Sequence, residues 1–179
     1  MHFRSKSGGF AVLCAIGSSL LGGSMMFDPQ PLVGACNGRY NATPIQQLNS
    51  CSSIIKGDFS RRIRSVAYSR RGELRASEGE TDDALDDFEN AIRIDPDNAQ
   101  AYADRGKVFL QGGKFDQAIS DYEKALALKP ESAEALYGRG IARLRIGDAV
   151  DGNADVAAAK AIRADIDTVF GPVEVQTPP

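Results

Sequence analysis

From Phe115 to Leu126 the apolar residues Phe115, Ala118, Ile119, Tyr122, Ala125 and Leu126 fall at i, i+3, i+4, i+7, i+10 and i+11, which is one face of an α-helix. Alternation by two is absent, so the pattern predicts helices rather than sheet. The same pattern recurs at a fixed offset. Gly72, Gly106 and Gly140 stand 34 residues apart, as do Gly79, Gly113 and Gly147. Arg71, Arg105 and Arg139 repeat on that offset, and so do Asp87, Asp121 and Asp155, then Ala91, Ala125 and Ala159, and the pair Pro96 and Pro130. The period is complete three times, from Ser65 to about Arg163. Within each period the second glycine permits a tight turn between two helices, and the proline stops one pair just before the next. Alanine and glycine recur where paired helices must approach closely, while tyrosine and phenylalanine fill the space between hairpins. Each unit therefore exposes an apolar side that only its neighbour can cover, and stacking is obligatory.

These residues resemble the tetratricopeptide repeat, a helix-turn-helix unit of that period. The middle copy carries Tyr102, Gly106, Phe109, Gly113, Ala118, Tyr122, Ala125 and Pro130 at the signature positions. In the first copy Tyr68, Gly72, Ala84, Phe88, Ala91 and Pro96 match, with Arg75 where an aromatic is usual. The third keeps Gly140, Gly147 and Ala159 but has Gly152 for the first alanine of its second helix, Val156 for the aromatic and Ala164 for the proline, as suits a capping repeat. The resemblance implies an all-α, right-handed αα-hairpin solenoid with units at 65–98, 99–132 and 133–170, the last including a capping helix. Upstream, residues 44–64 look like half a unit, with Leu48, Cys51 and Ile54 in second-helix slots and a long loop from Gly57 to Arg64, placed to cap the N-terminal side. A cysteine in such a cap is similar to exported bacterial tetratricopeptide proteins.

The two ends read differently. Arg4 and Lys6 precede an uncharged run from Ser7 to Phe27, so residues 1–27 are expected to be a signal peptide or a retained anchor that leaves the rest outside the cytoplasm, in the periplasm or beyond. Residues 28–43 read as a linker, and 171–179, with Pro172, Pro178 and Pro179, as a frayed tail, with Val169 and Phe170 before it packing back on the last helix. With Cys14 in the leader, Cys36 and Cys51 form an even pair in a compartment that tolerates disulfides. The alternative is a lipidated Cys36, since Val33-Gly34-Ala35-Cys36 resembles a bacterial lipobox, although Asp28, Pro29 and Pro31 interrupt the preceding apolar stretch.

Charge narrows the function classes. The net charge of -3 argues against nucleic acid as a partner. The single histidine, His2, lies in the leader, and no nucleophile elbow, zinc-protease or phosphate-loop motif occurs, so neither an enzyme nor a cofactor or metal site is expected. The arginine and aspartate columns lie 16 residues apart on antiparallel helices, which predicts structural ion pairs Arg71–Asp87, Arg105–Asp121 and Arg139–Asp155. The basic stretch from Arg61 to Arg75 faces the acids from Glu78 to Glu89, so the two neutralise each other.

On the family template the first helices line a concave surface with Ser69, Glu73 and Ala76, then Ala103, Lys107 and Leu110, then Tyr137, Ile141 and Leu144. The family's carboxylate clamp needs Lys, Asn and Arg at set positions, where this chain has Ser69, Glu73, Asp104, Glu134 and Gly138. The resemblance thus implies a scaffold holding a protein or peptide segment, with Tyr137, Ile141 and Leu144 as apolar anchors. The alternative is a self-associating envelope protein that uses its apolar C-terminal face.

Overall fold

A computed structural model describes residues 30–170. The expected leader and tail lie outside the described residues, as do Cys14 and the side chain of Val169. Among the described residues the regular structure is entirely helical: α1 Gln30–Cys36, α2 Pro44–Lys56, α3 Arg61–Ser77, α4 Thr81–Ile94, α5 Ala99–Gln111, α6 Phe115–Leu128, α7 Ala133–Arg145, α8 Ala149–Ile162 and α9 Asp167–Phe170. Helices α3/α4, α5/α6 and α7/α8 are the three hairpins.

Local chemistry sets the boundaries. Helix α2 opens on a capping box in which the Thr43 hydroxyl accepts from the Gln46 N–H and the Gln46 carboxamide accepts from the Thr43 N–H, with Pro44 in the first turn. Ser60, Asn98, Ser132 and Asp148 cap α3, α5, α7 and α8 through their side-chain oxygens. Gly79, Gly113 and Gly147 turn each hairpin at φ of 84°, 71° and 91°, a region that L side chains rarely adopt.

The hairpins bury the residues that the helical pattern put inward. Phe88 and Tyr122 are each 1% exposed, and the small residues Ala84, Ala91, Ala118 and Ala125 let the helices close on one another. At Gly138 an added Cβ would lie 2.3 Å from Cζ of Tyr122, so the α6–α7 contact requires glycine there. In the third unit Gly140 and Gly152 face each other across α7 and α8, an added Cβ on Gly140 lying 2.9 Å from the Gly152 carbonyl oxygen. Gly152, a departure from the alanine of the other units, is thus what lets the last hairpin close.

Two expected boundaries change. Residues 28–43, read as a linker, contain α1, which packs on α2 and touches α3. Cys36 and Cys51 are joined in a disulfide, both buried with Ile54 and Ala67 in one apolar cluster, so the bridge draws the linker into the cap. The loop expected from Gly57 to Arg64 ends sooner, because Ser60 caps α3 one turn ahead of the repeat.

Candidate functional site

Packing between units shows which surface is inner. Helix α3 touches α5, and α5 touches α7, whereas α4, α6 and α8 make no comparable contact with one another. The first helices therefore lie on the tighter, concave side of the stack. Along it run three adjoining cavities. One of about 240 Å³ is lined by Ser69, Arg70, Glu73 and Gln100; one of about 350 Å³ by Glu73, Phe88, Asp104, Lys107 and Gln111; one of about 310 Å³ by Lys107, Leu110, Gln111, Ile141 and Phe170. Glu73 is shared by the first two, and Lys107 and Gln111 by the last two, which makes a continuous groove. A roomier cavity of about 670 Å³ sits at the loop edge beside Pro96, where Arg61 already donates to the Ile94 carbonyl, the free end of α4.

The groove is not the apolar cleft expected in the third unit. Tyr137 is fully buried, and Ile141 and Leu144 are each only 7% exposed, in a cluster with Val156, Ala159 and Ile166. Phe170 packs on Tyr137 with ring centroids 5.5 Å apart. The chain's own C-terminal residues have taken the place that a ligand was expected to fill, because a last hairpin with no following unit must still bury its apolar side. Ser69 is also withdrawn, accepting a hydrogen bond from the Asn98 side chain at 3.1 Å. Asn98 also donates to Ser65 at 2.9 Å, and Ser65 donates to the Ala91 carbonyl, so these groups lock the first unit to the second. Glu73, Lys107 and Leu110 remain partly exposed along the groove.

Each arginine of the repeated column meets the aspartate sixteen residues on. Arg71 donates from Nε and Nη2 to Asp87 at 2.9 and 2.6 Å, Arg105 to Asp121 at 2.8 and 2.8 Å, and Arg139 to Asp155 at 2.8 and 2.7 Å. All three aspartates are buried. The hydrogen bond to the aspartate holds each guanidinium's pKa above its ordinary value, against the opposing effect of desolvation. These forks brace the two helices of each hairpin from inside and leave the arginines unavailable to an anion.

Two further arginines, outside the repeated column, join them. Arg75 donates to Asp87 at 2.7 Å and Arg143 to Asp155 at 2.8 Å. The signal was present: Arg75 and Arg143 occupy the same repeat position, one turn past the column, where the middle unit has Phe109. Arg75 thus replaces the usual aromatic with a second cation on a buried carboxylate.

Asp104 was noted in the sequence only as a departure from the clamp. Its Oδ1 accepts from the Gln100 amide at 2.9 Å, while its Oδ2 is buried without a hydrogen-bond partner. Burial, then the neighbouring Glu73 carboxylate, raise its pKa from the ordinary 3.8 to about 8. The Tyr122 hydroxyl is likewise buried without a partner, and desolvation, with Asp104 nearby, pushes its pKa up. Glu73 is paired with Arg70, and Glu134 with Arg163 at 3.2 Å. Among the described residues no group of three or more His, Cys, Asp or Glu side chains is placed to hold a metal ion, and no helix is long and apolar enough to cross a membrane.

The family model described as TPR repeat matches residues 72–112 and 106–147. No curated protein matches the chain in sequence. Among solved structures the chain is similar to the Arabidopsis OM64 TPR domain, with 23% identity, 61% of this chain and 92% of that one covered, and a TM-score of 0.57. It is similar to MamA protein, with 21% identity, coverage of 83% and 80%, and a TM-score of 0.62. It is also similar to the first TPR of Spaghetti (RPAP3) bound to the HSP90 peptide SRMEEVD, with 20% identity, coverage of 64% and 97%, and a TM-score of 0.55. At these identities the structural likenesses establish the fold alone. The glycine, arginine and aspartate columns, the family match that runs across them and the stacked hairpins together make residues 72–147 tetratricopeptide repeats within an all-α solenoid of that kind.

Proposed function

We propose that the protein is a non-catalytic scaffold, exported from the cytoplasm, that holds a protein or peptide segment along its concave groove. The observation that carries this reading is the continuity of the groove across α3, α5 and the C-terminal end through Glu73, Lys107 and Gln111. A groove built on rigid, mutually packed helices is preorganised and costs little to occupy. A related fold, the first TPR of Spaghetti (RPAP3), is bound to a peptide, which supports a peptide-like ligand here. The ligand lies over the first two units, because Ile166 and Phe170 already cover the apolar residues of the third. The Cys36–Cys51 bridge supports an oxidising compartment, where it resists reduction.

The test is random-peptide display on the purified protein, followed by amide chemical-shift mapping of a recovered peptide. Shifts centred on α3 and α5 support the groove. Shifts on the outer helices α4 and α6, or no peptide above background, refute it. Cell fractionation with intact-mass analysis tests export: a cytoplasmic chain carrying two free thiols at Cys36 and Cys51 overturns that part.

A second reading rests on Ile146, Val150 and Ile162, which are exposed at the C-terminal end of the stack and support self-association. Concentration-dependent mass in sedimentation separates it from the scaffold, which stays monomeric until it binds.

A further inference from the structure

We infer that the segment held in the groove carries a basic side chain, lysine or arginine, whose cationic head docks against Asp104. This inference rests on the groove reading and names the chemistry of its partner.

Around the groove the other carboxylates already have a cation: Glu73 has Arg70, Glu134 has Arg163, and Asp121 has Arg105. Asp104, a lining residue of the 350 Å³ cavity, has no cation: its Oδ1 accepts from the Gln100 amide, no protein N–H reaches its buried Oδ2, and its carboxyl lies close enough to that of Glu73 to share a hydrogen bond with it. Buried polar atoms are nearly always satisfied, so an orphaned acceptor in the wall of an open cavity marks a place where a donor belongs. A second orphan lies close by. The Tyr122 hydroxyl, on a side chain 1% exposed, has no partner and feels the Asp104 charge.

The chain's own cations do not supply the donor. Arg70 is held by Glu73 and by the Asn37 carbonyl, and Lys107 places its ammonium 5.4 Å from the centroid of the Phe170 ring. The groups facing Asp104 are Glu73 from α3, Gln100 and Lys107 from its own helix α5, Tyr122 from α6 and Glu134 from α7. Lys107 apart, none of these groups is a cation, and Glu73 and Glu134 are acids, so an acidic ligand is repelled and a basic one is matched. The neighbouring walls, Phe88, Val108 and Ala76, suit the methylene stem of a long basic side chain.

A pH signature follows. Asp104 keeps its proton up to about pH 8, and a cation binds the carboxylate, so docking expels that proton. Below that value each unit of rising pH increases the carboxylate fraction about tenfold, and affinity climbs with it; above it affinity levels off. The cationic head stays charged throughout, since free lysine titrates near ~10.4.

The experiment begins with the display-selected peptides. The expected result is a lysine or arginine at a fixed position in peptides that map to α3 and α5, and about a tenfold or greater loss of affinity when that residue is replaced by norleucine. Asp104→Asn is expected to cause a similar loss and to flatten the rise between pH 6 and pH 8, while Asp116→Asn on the outer helix changes neither. Peptides that map to the groove yet lack a basic residue overturn this inference and leave the groove reading standing. So does binding unaffected by both norleucine and Asp104→Asn. Absence of any groove-binding peptide overturns both. The norleucine arm uses the unaltered protein, so a folding defect in the variant cannot decide the outcome.

Discussion

Removing the Asp87 carboxylate tests how the hairpins are braced. Asp87 accepts three charge-assisted hydrogen bonds, two from Arg71 and one from Arg75, whereas Asp121 accepts two, both from Arg105. Such bonds are worth about 1.5–3 kcal/mol each when buried, and stripping one partner from a buried pair costs about 3–5 kcal/mol because the other charge is stranded. The stranded arginines here are only partly buried, their side chains being 16%, 25% and 23% exposed for Arg71, Arg75 and Arg105, so water recovers part of the loss. Asp121→Ala is therefore expected to cost about 2 kcal/mol and Asp87→Ala about 3–4 kcal/mol, Asp155→Ala resembling Asp87→Ala because Arg143 completes its trio. Urea unfolding followed by far-ultraviolet circular dichroism at pH 7 measures all three, with a cycle through Arg75→Ala isolating the third bond. Equal costs for Asp87 and Asp121, or costs below about 0.5 kcal/mol as for exposed ion pairs, refute the reasoning.

Three further outcomes are expected. Gly138→Ala forces a methyl to 2.3 Å from the buried Tyr122 ring and loses about 1–3 kcal/mol, whereas Gly106→Ala, whose nearest neighbours lie at 3.3 Å, stays within about 1 kcal/mol because the gain in helix propensity offsets the squeeze; the same unfolding assay compares them. Asp104 binds its proton more tightly folded than unfolded, so it lowers stability as pH rises from about 4 to about 8. Asp104→Asn should remove that slope and raise the urea midpoint most at pH 8. Reducing the Cys36–Cys51 bridge, which closes a separation of 15 residues, is expected to cost about 3 kcal/mol, read as a drop in thermal midpoint and faster hydrogen exchange in α1 and α2 before α7 and α8.

The inner ion pairs were legible because both partners recur on the period and the hairpin geometry is local: a separation of sixteen residues across one turn brings Arg71 to Asp87 as surely as Arg139 to Asp155. Arg75 and Arg143 follow the same rule one turn later, but the sequence marks Arg75 only as replacing an aromatic and as part of a basic stretch facing acids, without its particular partner. The groove was half legible. Glu73, Lys107 and Leu110 lie along it, but Asp104 stood out only as a mismatch, since its titration depends on burial beneath Glu73 of the preceding unit.

The amino-acid order determined the repeat, the helix pairs, their turns and their braces, because those depend on contacts within one period or between adjacent ones, and each leaves a periodic mark. Which inner faces stay open was decided only in three dimensions. Tyr137, Ile141 and Leu144 carry the same inner-face register as Glu73 and Lys107, yet they are closed off by Ile166 and Phe170, residues outside the three complete copies. Likewise α1 joins the cap through a disulfide and an apolar cluster rather than through any repeat position. Periodicity records what a residue does within its own unit; exposure depends on what else the chain lays on top of it.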